Sequence, residues 1–371
     1  MKWMIRILTF CLALCPLIAI PVADAEAMLP LEGTHQLDSS GNRQDVGNLR
    51  PLPSGVRAEK VKFENNGVSL GGTLFIPKPI AGKRAPALLL ISGSDHHRKG
   101  AVPIARAPLT AFSEIGALLA GNGIVAFNYD TRCNGTSDCK SESTPHDYAS
   151  DAIAAYGYLS RRAEVDAAKI LILGHDEGGC FAASVASNPA EGTQKAIGVV
   201  LIAVPGRTYG KVLREQAGKR LDQAGKTPAE IGAYLARFDA LANSLASGSL
   251  DPKTSDIDVQ DPLFGQFIAN RAYLFHLFVN DPLQVVRSIE TPVLIIQGEK
   301  DAHIGVRDAQ YLKESLGRQY NENVTFELLP EMDHWMRASK GAVLLRDEEA
   351  TGPLDPLLLT TLNGWIAKRL K

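Results

Sequence analysis

The sequence predicts an α/β fold: a mostly parallel central sheet with helices on both faces and a helical cap inserted late in the chain. Three observations carry this. Short, near-continuous apolar runs recur, among them ALLLI (87–91), ILIL (170–173) and VLII (293–296), and strands buried on both faces read this way. Segments with helical spacing separate them. One stretch, about 206–286, breaks the alternation: it is polar and helix-rich, with no strand of the same quality.

Taken in order, the elements begin near Val61. Val61–Glu64 and Val68–Ile76 read as strands, and Asn66-Gly67 between them is a hairpin signal. Ala87–Ile91 is a strand. Phe112, Ile115 and Leu118 mark a helix that Gly121-Asn122-Gly123 stops. Ile124–Tyr129 is the next strand. Asp147–Arg161 is a helix with Ile153, Tyr156 and Leu159 on one face. Ile170–Leu173 is a strand, followed by a tight turn and a small-residue helix from Glu177 to about Ser187. Gly198–Val204, Pro292–Gln297 and Val324–Leu329 are further strands. In the cap, 221–246 and 262–279 read as helical. The last helix, Pro356–Leu370, gathers Leu358, Leu362 and Trp365.

The start of the chain reads as targeting rather than fold. Lys2 and Arg6 precede an apolar stretch, Ile7–Ile20, too short for a comfortable membrane span. Ala23-Asp24-Ala25 is a small-residue cleavage site, so residues 1–25 are expected to be a secretory signal peptide. An uncleaved anchor is the alternative. Residues 26–58 read as a leader or linker, and 59–371 as the domain. The expected location is secreted or periplasmic, with no integral membrane segment after processing. Net charge is −2 and no basic cluster is present, which points away from nucleic acid and from an anionic membrane surface. The sequence calls for no cofactor and no metal. Past the signal stretch, Cys133, Cys139 and Cys180 remain. Cys133 and Cys139 either close a small disulfide loop or stand as two thiols, because spacing alone does not establish the geometry.

The chemistry centres on KILILGHDEGG, 169–179. A strand, a tight turn and a helix place Asp176 on a strained turn at the carboxyl end of the sheet, with Gly174 and Gly178 preventing clashes. The following helix aims its free N–H groups at the site. Asp301, after PVLIIQ, and His334, after VTFELL, lie just past carboxyl ends of strands. The order is nucleophile, acid, base. Four segments, LLLISGSDHH, NYDTRCNGTSD, LILGHDEGG and VLIIQGEKD with LPEMDHW, resemble the α/β-hydrolase family from about Val61 to the C-terminus. They look most like bacterial serine esterase or peptidase-like members.

The resemblance implies roles for Asp176 (nucleophile), Asp301 (acid) and His334 (base). It also implies an oxyanion hole from the backbone N–H of Glu177 and that of Gly93 or Ser94. Three departures stand out: Asp176 replaces the usual serine, Cys133 replaces a glycine, and SDHHRKG replaces the usual glycine-containing oxyanion loop. The expected function is hydrolysis of a small, partly apolar, ester-like substrate. A carboxylate needs no deprotonation at neutral pH, so an aspartyl route on epoxides or carbon–halogen bonds is the alternative, although Glu177 suits a halide poorly. A third reading is a binding protein without turnover.

Other residues carry blander expectations. Asp130 and Arg132 read as a structural pair anchoring a loop. His96 and His97 read as a polar site rim, His175 as buried and hydrogen-bonded. His303 competes with His334 as base, and Asp333 reads as a local hydrogen-bonding or surface residue. Tyr209, Tyr234 and Tyr273 lie in the cap, where tyrosines mostly pack.

Overall fold

The computed structural model describes residues 51–79, 82–93, 107–139, 143–250, 261–318, 321–340, 345 and 352–371. The expected signal segment 1–25 lies outside the described residues, as do Ser94, His96 and His97. Eight strands form one sheet in the order β1-β2-β4-β3-β5-β6-β7-β8. They are β1 (Arg57–Asn65), β2 (Val68–Ile76), β3 (Ala85–Ile91), β4 (Val125–Tyr129), β5 (Val165–His175), β6 (Gly198–Ile202), β7 (Val293–Gly298) and β8 (Val324–Leu329). The β1/β2 and β2/β4 pairs are antiparallel and all others parallel. Asn66 and Gly67 both take positive φ, 49° and 73°, as the two-residue hairpin between β1 and β2 demands.

The strands carry side chains alternately to two faces. Leu89, Ile91, Ile170 and Ile172 enter one core, with helices α2 (Pro145–Ser160), α3 (Gly178–Ser187) and α9 (Val306–Arg318) over them. Leu88, Leu90, Leu171 and Leu173 enter the other, covered by α1 (Ala107–Gly121) and α10 (Pro356–Arg369). Each such side chain contributes roughly 1.5–3 kcal/mol on burial, so a central strand filled on both faces is pinned in register. Between β6 and β7 the chain forms α4 (Tyr209–Gln223), α5 (Pro228–Ala246), α6 (Pro262–Ala269), α7 (Arg271–Val279) and α8 (Pro282–Val286). Tyr209, Val212, Leu213, Phe238, Phe264 and Phe267 give this insertion a core of its own. No helix among the described residues is long and apolar enough to cross a membrane.

The observed elements differ from expectation at β1, β6 and α9. The first strand starts at Arg57 rather than near Val61, and Leu52 and Val56 already pack against the second core. Strand β6 stops at Ile202, because Ala203 turns to φ 51°. Helix α9 was not expected at all, although Ala309, Leu312 and Leu316 follow helical spacing. Its buried face also carries Asp308 and Ser315, which blur the apolar stripe. Asp308 is there because Arg207, at the entry to the cap, forks onto it at 2.9 and 2.6 Å.

Asp130 and Arg132 are not the pair that forms. Arg132, 1% exposed, donates to Asp151 of α2 at 2.5 and 2.9 Å, while Asp130 accepts from Thr136 N–H at 2.8 Å and closes the loop on itself. Cys133 and Cys139 are joined by a disulfide across a Cα separation of 4.1 Å. Cys180 is a free thiol whose titration burial pushes far up.

Candidate active site

Strand β3 lies between β4 and β5, so the chain leaves it first to one side and then to the other. In doubly wound sheets the crevice past the carboxyl ends at such a point receives ligands. Asp176 stands there, directly after β5, at φ 53°. Few residues other than glycine accept this left-handed conformation; here it presents the side chain at the tip of the turn. The turn is tight enough to require its glycines. A Cβ on Gly174 would lie 2.5 Å from the Gly178 carbonyl oxygen, and one on Gly178 would lie 2.2 Å from the Ile91 oxygen. The main chain is held by Asp176 N–H to Ile202 O at 3.0 Å and Gly179 N–H to Asp176 O at 3.0 Å.

Asp301 and His334 come to the same point from the loops after β7 and β8. The Nδ1 of His334 is 3.1 Å from Asp301 Oδ2, and its Nε2 is 4.0 Å from Asp176 Oδ2. The imidazole therefore sits between the two carboxylates. Asp301 is buried and well supplied with donors: Gln297 Nε2 at 3.1 Å, His303 N–H at 2.8 Å and Ile304 N–H at 2.9 Å. Burial pushes its carboxyl up against those donors. With Oδ2 facing Nδ1, the acid selects the tautomer whose Nε2 lone pair faces Asp176.

The His334 ring is fixed on several sides. His303 stacks on it at 4.5 Å, His175 lies at 4.8 Å and Trp335 meets it edge-on at 5.0 Å. Asp333 is no bare surface residue: it accepts from Trp335 N–H and Arg337 N–H, both at 2.9 Å, and so shapes the loop that carries the histidine. His303 joins the site as a stacking neighbour, while Asp301 orients His334.

His175 Nε2 donates to the His334 carbonyl oxygen, 2.7 Å away. Burial first, and the neighbouring His334 second, push its pKa down to about 3. The imidazole is thus neutral in the native state and protonates in the unfolded chain below about 6.5. Between those values the unfolded state binds more protons, so stability rises with pH there by up to about 1.4 kcal/mol per unit from this group. Asp301, shifted upward, acts in the opposite sense just above its ordinary range. Chemical unfolding from pH 4 to 7 is expected to show wild type losing stability toward acid and His175→Gln losing less over the same window.

Gly93 lies against the turn: a Cβ built on it would be 3.5 Å from Glu177 N. Glu177 itself is 4% exposed, and its carboxylate accepts from the hydroxyl of Tyr273 on α7. Of the three cap tyrosines this one reaches the site. Tyr209 is buried in the cap core, and Tyr234 donates to Asp261 at 3.1 Å. No spacing in the sequence separates Tyr273 from the others. A usable cue is that RAYLFHLFV holds a single hydroxyl in an otherwise largely apolar helix.

The family model described as serine aminopeptidase, S33, matches residues 109–337, a span that includes Asp176, Asp301 and His334. The chain belongs to this family. This S33-family chain is an α/β-hydrolase of esterase and peptidase type, and its family acts on small molecules. It is similar to Esterase EstD of Thermotoga maritima, 25% identical over 320 residues that cover 85% of this chain and 70% of the relative. A hypothetical protein of Pseudomonas aeruginosa shares the fold with a TM-score of 0.55 at 16% identity, over 91% of this chain and 100% of that one. Est1E from Butyrivibrio proteoclasticus, solved with ferulic acid bound, gives 0.51 at 17% identity, over 84% and 99%. The chain spans only 38% of the Pyrococcus horikoshii acylaminoacyl peptidase chain. The family's name says serine, and the tip of the turn after β5 carries Asp176.

Proposed function

We propose that this protein hydrolyses small, partly apolar, ester-like substrates through Asp176, Asp301 and His334. The carrying observation is the position of His334, 3.1 Å from Asp301 and 4.0 Å from Asp176. A water about 2.8 Å from each of two acceptors fits at the apex over a gap of that width. His334 Nε2 takes one proton from this water, Asp176 holds the other, and Asp301 stabilises the imidazolium. The water oxygen bonds to the acyl carbon, whose carbonyl oxygen gathers negative charge in front of the Glu177 N–H, beside Gly93. Collapse of this adduct breaks the bond to the alkoxy group, which leaves with the proton from His334. Ester and water become acid and alcohol, and all three side chains return to their starting states.

A second reading has its own support. A carboxylate at the tip of the turn can attack a saturated carbon, and the cap brings a tyrosine hydroxyl to the adjacent residue. Attack by Asp176 then opens an epoxide or displaces a halide, and His334-activated water cleaves the resulting alkyl ester. A panel of p-nitrophenyl esters beside styrene oxide and 1-chlorobutane separates the routes. Ester turnover without epoxide turnover is the expected outcome; epoxide or halide turnover alone sinks the ester reading.

We also infer export from the cytoplasm. The basic-then-apolar start and the Ala23-Asp24-Ala25 site support it, and so does the bonded Cys133–Cys139 pair, since disulfides persist in oxidising compartments.

A further inference from the structure

We propose that Tyr273 is a positioning residue for the hydrolysis proposed above, on which this inference rests: through the Glu177 carboxylate it aims the Glu177 backbone N–H at the substrate's carbonyl oxygen. The cap thereby takes part in setting the catalytic turn.

Glu177 is the residue after Asp176 and the first cap position of α3, with φ −56° and ψ −29°. Its carbonyl oxygen accepts from Cys180 N–H at 2.9 Å, which fixes the main chain from the helix side. Its side chain is fixed from the opposite side by the Tyr273 hydroxyl. A residue clamped at both its carbonyl and its side chain has little freedom to rotate, so the direction of its N–H is set before substrate arrives. Direction matters here because an oxyanion donor stabilises only charge that it faces.

The Tyr273 ring is also held by packing. It is 1% exposed, and its ring meets Tyr148 of α2 edge-on at 5.7 Å and 82°. Tyr148 in turn stacks on Phe181 of α3 at 5.9 Å and 15°. The cap helix α7 is thus tied to α3 twice, once through the aromatic rings and once through the Glu177 carboxylate. Tyr273→Phe removes the hydroxyl tie to Glu177 and keeps the ring packing. The arrangement separates a structural part of the residue from a positioning part.

The test uses the full-length protein with p-nitrophenyl butyrate, and hydrogen exchange of the peptide spanning 174–180, in wild type, Tyr273→Phe, Glu177→Met, Glu177→Gln and the Tyr273→Phe/Glu177→Met double variant. Tyr273→Phe is expected to lower kcat by about tenfold or more with KM changed by less than about twofold, since misaiming a donor weakens the transition state rather than binding. Glu177→Met is expected to match it, and the double variant to be no worse than either single, because both remove one interaction. Glu177→Gln, which keeps an acceptor for the hydroxyl, is expected to lose less than Glu177→Met. Exchange at 174–180 is expected to quicken in Tyr273→Phe and Glu177→Met. Losses that multiply in the double variant, a rise in KM alone, or unchanged exchange at 174–180 would each overturn the proposal. Coupled exchange changes in a protein that turns over no ester at all would leave the positioning intact and remove the hydrolysis.

Discussion

His334→Gln is expected to lower kcat for ester hydrolysis by about 10²–10⁴-fold, the range associated with a positioned general base. The reason is placement. Its Nδ1 faces Asp301 and its Nε2 faces Asp176, so this imidazole has both an orienting acid and access to the tip of the turn. His303 is near, but its role is to stack on His334 at 4.5 Å and to donate its N–H to Asp301. His303→Gln is therefore expected to cost far less in kcat. Steady-state kinetics of both variants, with thermal unfolding measured alongside, checks this. Equal losses in the two variants, at equal stability, would move the base to His303.

Asp151→Ala is expected to destabilise the fold by about 3–5 kcal/mol, the usual cost of leaving a buried charge without its partner. Among the described residues Arg132 is the largest fully buried side chain, and it donates to Asp151 at 2.5 and 2.9 Å. Asp147, 3.7 Å from the same guanidinium and partly exposed, replaces little of that. Asn65 also donates to Asp151 at 2.7 Å and loses its acceptor. Burial pushes the Asp151 carboxyl up in spite of the guanidinium, which shows how much desolvation the pair carries. A pair so burdened is a weak net stabiliser. Arg132→Met/Asp151→Leu is accordingly expected to recover most of the loss, and a double variant as unstable as the single would contradict this account. Urea unfolding of the three proteins decides it.

The centre of the sheet was legible because β3, β4, β6 and β7 are short, buried, mostly apolar runs. The turn at Asp176 was legible because two glycines are forced by backbone contacts of 2.2–2.5 Å. Asp301 and His334 followed from their places after β7 and β8. What stayed hidden depends on contacts between distant segments. Asp130 and Arg132 are close in sequence, yet Arg132 turns to α2, because an aspartate from another element is buried where the guanidinium ends. Helix α9 is not legible in the sequence because its inner face carries Asp308, whose partner Arg207 comes from a distant segment. Tyr273 could not be told from two other cap tyrosines until the fold set α7 over Glu177.

The proposed reaction depends most on Asp176 at the tip of the turn. Kinetics of Asp176→Ala on an ester that wild type turns over, at matched stability, tests it most directly. We expect kcat/KM to fall by about a thousandfold, because the carboxylate that shares the water with His334 is gone. Full activity in Asp176→Ala would contradict the account and leave Asp176 without a part in the reaction.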